Sequence, residues 1–254
     1  MPDIVLQRPI VLVHGLFGFG RVYLGPITFA RYFPGIEQTL NQSGLRVGIP
    51  QLSLTRGIEE RAVELRRYII RRFPNEQVHI IAHSMGGLDA RHMITHLGMA
   101  DQVHSLTTIG TPHRGSSFAD WCIRYPGRIY MPLLRALRIP CQAFEDLTTT
   151  SCRRFNENTP NIPNVRYFSV AGNCSRAVLT PTWRPMHRIV KAIEGDNDGV
   201  VSLSSAQYGE SCEVWHADHM NLVNRKNPRL GSTPREQDYL RLAKKLQLVE
   251  ENRL

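Results

Sequence analysis

The feature that most restricts the fold is an alternation of short, uninterrupted apolar runs with longer segments of helical spacing. Residues 9–14 (PIVLVH) form one such run, the mark of a strand buried on both faces. Residues 78–82 are a second buried strand and 103–109 a third, and further strands are expected at 45–49, 165–171 and 212–215. Between them, Ile58, Ala62, Leu65 and Ile69 recur at helical spacing over residues 58–73, with arginines elsewhere and Pro74 as the stop. Helices are also expected at 35–43, stopped by Gly44, at 86–97, and from Ser232 or Thr233 with Pro234 to about Glu250. Strand–helix alternation predicts an α/β fold with a mostly parallel central sheet and helices on both faces. No repeat, linker or charge block divides the 254 residues, so one domain over 1–254 is expected.

Composition narrows the function classes. Hydrophobic residues make up 42% of the chain, enough for a sizeable core, and no apolar run approaches the roughly 18–20 residues of a membrane span. The net charge of +9 invites a nucleic-acid reading. Yet there is no zinc spacing, RNP pattern or basic-aromatic stripe, and Arg61, Arg66, Arg67, Arg71 and Arg72 fall on a helix whose other face is apolar. No specific nucleic-acid partner is expected, only non-specific attraction. Five cysteines (Cys122, Cys141, Cys152, Cys174, Cys212) form no C-x-x-C pair, so neither a disulfide framework nor a zinc site is expected, and no cofactor. Met1-Pro2-Asp3 lacks the basic start of a secretory leader. A cytoplasmic location is favoured, or a secreted one if a leader has been removed.

Ala82-His83-Ser84-Met85-Gly86-Gly87 ends the 78–82 strand and opens a helix. That is the context a nucleophile elbow requires: the turn is tight, its flanks must be small, and Ala82 and Gly86 comply, although an ordinary strand-to-helix turn can carry a serine too. The Met85 N–H, at a helix start, can donate to a developing oxyanion. His14-Gly15-Leu16-Phe17-Gly18 follows the first strand, where the Leu16 N–H is the natural second donor and Gly15 permits close approach. A serine nucleophile also needs a base and an orienting carboxylate, here in the chain order Ser, acid, His. Of ten histidines, His219 is preferred over His216 because it lies deeper in the loop after the last strand. In the polar turn 194–201, Asp198 is preferred over Asp196, although Asp-Gly is also an ordinary turn pair.

Six segments occur together: PIVLVHGLFG (9–18), AHSMGG (82–87), TIGTPHRGS (108–116), LTTTSCRRFNENTP (147–160), NDGVVS (197–202) and DHMNLVN (218–224). In this order they resemble true bacterial triacylglycerol lipases of the α/β-hydrolase fold. The resemblance implies Ser84 as nucleophile, Asp198 as acid, His219 as base, and Leu16 and Met85 at the oxyanion positions. Two departures accompany it. Asn221 and Arg225 stand where secreted members place calcium ligands, so no calcium is expected there. Ser202-Leu203-Ser204-Ser205 stands where a disulfide cysteine would follow the acid. Thr111-Pro112-His113-Arg114-Gly115 is expected to hold the base of a lid rather than to do chemistry.

Residues 116–160 interrupt the alternation and are a candidate helical lid or cap insertion. Their apolar residues (Trp121, Ile129, Tyr130, Met131, Leu133, Leu134, Leu137) alternate with Arg124, Arg128, Arg135 and Arg138. With Leu16, Met85 and the substrate-lining Phe17, this suits an acyl chain better than a charged substrate. The expected partner is a lipid or ester small molecule, with possible peripheral contact to anionic lipid surfaces. The resemblance implies ester hydrolysis through an acyl-enzyme. A carboxylesterase for short soluble esters, or an acyltransferase or thioesterase, remain alternatives, and the oligomeric state is left open.

Overall fold

The computed structural model describes residues 4–16, 21–24, 27–125, 142–181, 183–229 and 234–254. Phe17, Cys141, Ser232, Thr233 and the part of the candidate lid at 126–141 lie outside the described residues. The strands are β1 (Ile10–Val13), β2 (Arg21–Leu24), β3 (Ile27–Arg31), β4 (Val47–Gly48), β5 (Val78–His83), β6 (Val103–Ile109), β7 (Arg166–Asn173) and β8 (Ser211–His216). The helices are α1 (Ile36–Gln42), α2 (Ile58–Arg72), α3 (Met85–His96), α4 (Ser117–Arg124), α5 (Gln142–Asp146), α6 (Thr149–Asn158), α7 (Arg184–Glu194), α8 (Leu203–Ala206) and α9 (Glu236–Glu250).

Six strands form one all-parallel sheet in the order β4-β1-β5-β6-β7-β8, while β2 and β3 pair as a separate antiparallel hairpin. The six strands read as strands in the sequence; the hairpin and α7 did not. The continuous apolar runs follow from burial on both faces. Ile10 and Leu12 of β1 pack with Phe33, Ile36, Leu40, Tyr239 and Leu246 on the α1/α9 side. Val11 and Val13 pack with Ala62, Leu65, Ile69 and Met93 on the α2/α3 side. The period of two along a strand separates these two sets.

Helix α2 corrects one expectation. Its stripe of buried residues includes Arg61, which lies at 0% exposure instead of on the polar face. Its guanidinium pairs with the equally buried Asp89 of α3 at 2.8 Å and donates to the carbonyls of Ser53 and His14. Acidic Glu59 and Glu60 in the first turn and basic Arg71 and Arg72 in the last oppose the helix dipole.

The order also places the site. From β1 the chain moves outward to β4, then returns to β5 on the other side of β1, with Val13 in register with Ala82. The strand order thus reverses between β1 and β5, and their carboxyl ends stand at that switch point, the usual binding position in an open parallel sheet.

Candidate active site

Ser84 sits at φ 55° and ψ −132°, between the last residue of β5 and the first of α3. A left-handed φ costs an L-residue roughly 1–3 kcal/mol, so the surroundings must hold it. They do so by backbone bonds. Ser84 N–H donates to the Ile109 carbonyl (2.9 Å), and the Ser84 carbonyl accepts from Thr111 Oγ1 (2.7 Å) and Gly87 N–H (3.1 Å). Small neighbours are obligatory: a Cβ on Gly86 would lie 2.8 Å from the His14 carbonyl oxygen.

Two other loops reach the serine. His219 follows β8, and its Nε2 lies 3.0 Å from Ser84 Oγ. Its Nδ1 lies 2.7 Å from Asp198 Oδ2. A carboxylate only accepts, so Nδ1–H donates to Asp198 and Nε2 is left to accept the serine proton. Asp198 is fully buried; its Oδ1 accepts from the N–H groups of Val200 (3.1 Å) and Val201 (2.9 Å), and its carbonyl accepts from His219 N–H (2.9 Å). The two candidate acids thus separate sharply. Asp196, two residues upstream, is an exposed partner of Lys191. His216 ends β8 exposed to solvent.

Gly15 brings the β1 loop against the nucleophile, for a Cβ there would lie 2.7 Å from Ser84 Cβ. Leu16 packs beside Met85 in a small apolar cluster with Ile58, Leu88, Ala143, Cys152, Leu147 and Phe155. Met85 opens α3, where first-turn N–H groups have no carbonyl behind them. The arrangement can bind an anionic oxygen beside an activated serine.

The 111–115 stretch supports this assembly rather than entering it. Thr111 holds the elbow, and the His113 ring stacks on Tyr208 at 4.1 Å while its carbonyl accepts from Asn156 of α6 (2.7 Å). Burial keeps His113 well below the ordinary imidazole range. Asn221, one of the two places that departed from the calcium pattern, has its Oδ1 taken by the Arg235 guanidinium (2.8 and 3.1 Å) and its Nδ2 donating to the Arg225 carbonyl. No cluster of three or more potential metal-binding side chains occurs among the described residues. Cys122, Cys152, Cys174 and Cys212 are free thiols.

Sequence reasoning missed two residues of the surroundings, His83 and Tyr32. His83 lay inside the elbow motif itself, but nothing local to it indicates what its ring will meet.

Known proteins share this chain's sequence and fold. Residues 60–225 match the PGAP1-like alpha/beta domain family. The chain is 30% identical to triacylglycerol lipase 2 of Saccharomyces cerevisiae over 87% of its own length and 81% of the relative's. It is 29% identical to a triacylglycerol lipase of Pseudomonas fragi, covering 88% of this chain and 90% of that one. Among solved structures, Staphylococcus hyicus lipase superposes with a TM-score of 0.75 at 17% identity, covering 99% of this chain and 98% of that one. Lipase 1 from Pelosinus fermentans gives 0.75 at 20% identity, with 95% and 98% covered. At these identities the structural likeness carries the fold.

Proposed function

The chain belongs to the triacylglycerol lipase family of the α/β-hydrolase fold and is an ester hydrolase, and from that premise we propose that it cleaves acylglycerol esters through a Ser84–His219–Asp198 triad and a covalent acyl-enzyme. The observation that carries the reading is the continuous chain of contacts at 3.0 and 2.7 Å through a serine held in a left-handed turn.

His219 Nε2 takes the Ser84 proton as Oγ attacks the acyl carbonyl carbon. The carbonyl π pair moves onto oxygen, where the N–H groups of Leu16 and Met85 hold it. Asp198 keeps Nδ1 protonated and stabilises the imidazolium. The tetrahedral intermediate then collapses, the C–O bond to the alcohol breaks, and His219 returns the proton to that oxygen. Water repeats the sequence against the acyl-enzyme, giving the free acid and Ser84. One oxyanion donor contributes about 2.7–4 kcal/mol to such a barrier.

The apolar cluster around Leu16 and Met85 favours an acyl chain, and Ala143, Leu147, Cys152 and Phe155 of the candidate lid line it. The described part of that segment supports contact with a lipid surface: Trp121 and Tyr125 of the α4 region are 40% and 56% exposed, with Phe118 stacked on Trp121. A fluorophosphonate should label Ser84 alone, and label on another residue would overturn the triad. A series of esters from acetate to long-chain glycerides tests the substrate class. Activity confined to short, soluble esters would make the protein a carboxylesterase instead.

A further inference from the structure

Resting on that triad, we infer that Tyr32 and His83 form a buried positioning relay that ties the oxyanion loop to the backbone of the base. Gly15 N–H donates to Tyr32 Oη (3.2 Å), Tyr32 Oη lies 2.8 Å from His83 Nδ1, and His83 Nε2 lies 2.9 Å from the His219 carbonyl oxygen. Tyr32 is 4% exposed and His83 0%. The His83 and His219 ring centroids lie 4.5 Å apart, tilted by 47°.

The direction of every bond in this chain is forced. A backbone N–H only donates, so Tyr32 oxygen accepts from Gly15 and its single proton is free for His83 Nδ1. His83 therefore carries its own proton on Nε2, where the His219 carbonyl, which only accepts, receives it. One tautomer satisfies all four groups. An imidazolium at His83 would strand the tyrosine proton in the core and set a cation against the base. Burial, reinforced by the nearby His219, holds His83 well below the usual imidazole range, and burial raises Tyr32 to about 12. Both groups thus stay neutral.

The fold explains why the relay spans the site. His83 is the last residue of β5 and shares a face with Ile81, which packs with Tyr32, Phe33 and Leu222. Its ring therefore lies on the α1/α9 side, between the β1 loop and the loop carrying His219. Gly15 precedes one oxyanion donor, and the His219 carbonyl belongs to the base. The relay sets the distance between the two parts that must act on one tetrahedral centre, where displacement of about 1 Å can cost about a hundredfold in rate.

The test compares kcat and KM for p-nitrophenyl butyrate, normalised to sites titrated with fluorophosphonate. His83→Phe keeps a ring of similar size but leaves Tyr32 and the His219 carbonyl unpaired; kcat should fall roughly tenfold or more with KM within about twofold. His83→Gln supplies one acceptor and one donor and should recover most of the loss. Tyr32→Phe, which removes a single oxygen, should lower kcat about tenfold. The double variant Tyr32→Phe/His83→Phe should be little worse than either single one, because both break the same chain. Wild-type kcat in folded, fully titratable His83→Phe or Tyr32→Phe would overturn the relay. So would equal impairment of His83→Gln and His83→Phe, or strictly multiplicative losses. If His83→Phe does not fold, Tyr32→Phe decides alone. Failure of the wild type to label at Ser84 would instead overturn the triad.

Discussion

The molecule holds two Ser–His–carboxylate chains at opposite ends of one sheet. At the carboxyl edge stand Ser84, His219 and Asp198, described above. Toward the amino edge, Ser105 Oγ lies 2.7 Å from His79 Nδ1, and His79 Nε2 lies 3.1 Å from Glu250 Oε1. Residue types and distances nearly match, yet the settings differ. Ser105 lies inside β6 at 0% exposure, a cross-strand neighbour of His79, and no helix starts behind it. Glu250 also accepts from the N–H groups of Gln7 and Arg8, so the second chain ties α9 to the N-terminal segment. Hydrogen-bonded serine, histidine and carboxylate make a structural staple by default. Ser84 differs in its left-handed turn and in the helix that starts behind it, the features on which the proposed reactivity rests.

The comparison breaks or sharpens under substitution. Ser84→Ala should lower kcat on the order of 10⁵–10⁶-fold, as removal of a triad serine does, whereas Ser105→Ala should leave kcat unchanged in the same ester assay. A parallel loss in both would erase the distinction. Asp198→Asn should cost about 10⁴ in kcat by favouring the wrong imidazole tautomer. Asp196→Asn should leave kcat unaltered, since only an exposed pair with Lys191 is lost. Next comes Gly15→Ala, whose new methyl must displace Ser84 or the loop; about a hundredfold loss of kcat/KM is expected while circular dichroism stays native.

The smallest effect is on stability alone, at the second chain. Burial pushes the Glu250 carboxyl up, but bonds from His79, Gln7 and Arg8 outweigh it and hold the group at about 2, below its ordinary 4.5. A depressed folded value means the stabilisation is complete above the unfolded value and is lost as pH falls toward 2. His79, held low by burial, also loses stability on acidification. Glu250→Gln should therefore lower Tm at neutral pH without touching kcat, and the Tm gap to wild type should narrow below about pH 4.5 and close near pH 2. A gap independent of pH in differential scanning fluorimetry would show that the carboxylate charge contributes nothing.

Much of this was readable in the chain because the signals are local. Val103–Ile109 is a strand over the span expected from the sequence. Gly44, at φ +80°, stops α1 where expected. The elbow was readable because small flanks and a strand-to-helix change are contiguous requirements. The β2–β3 hairpin (RVYL and ITFAR) was not read as strands, although Gly25-Pro26 between them is a turn dipeptide. Arg61 was misjudged because helical periodicity reports a stripe, not the buried carboxylate of Asp89 that makes an arginine acceptable inside it.

What the amino-acid order determined unaided was the sheet, the strained serine and the small residues that give it room, all consequences of neighbours within a few positions. Only the tertiary structure decided that Asp198 rather than Asp196 meets His219, that His219 reaches Ser84, and that His83 spans two loops. Those partners lie 21, 135 and 136 residues apart. Contacts at such separations come from closing long loops around a packed sheet, an entropic cost met by the whole core and written in no local propensity.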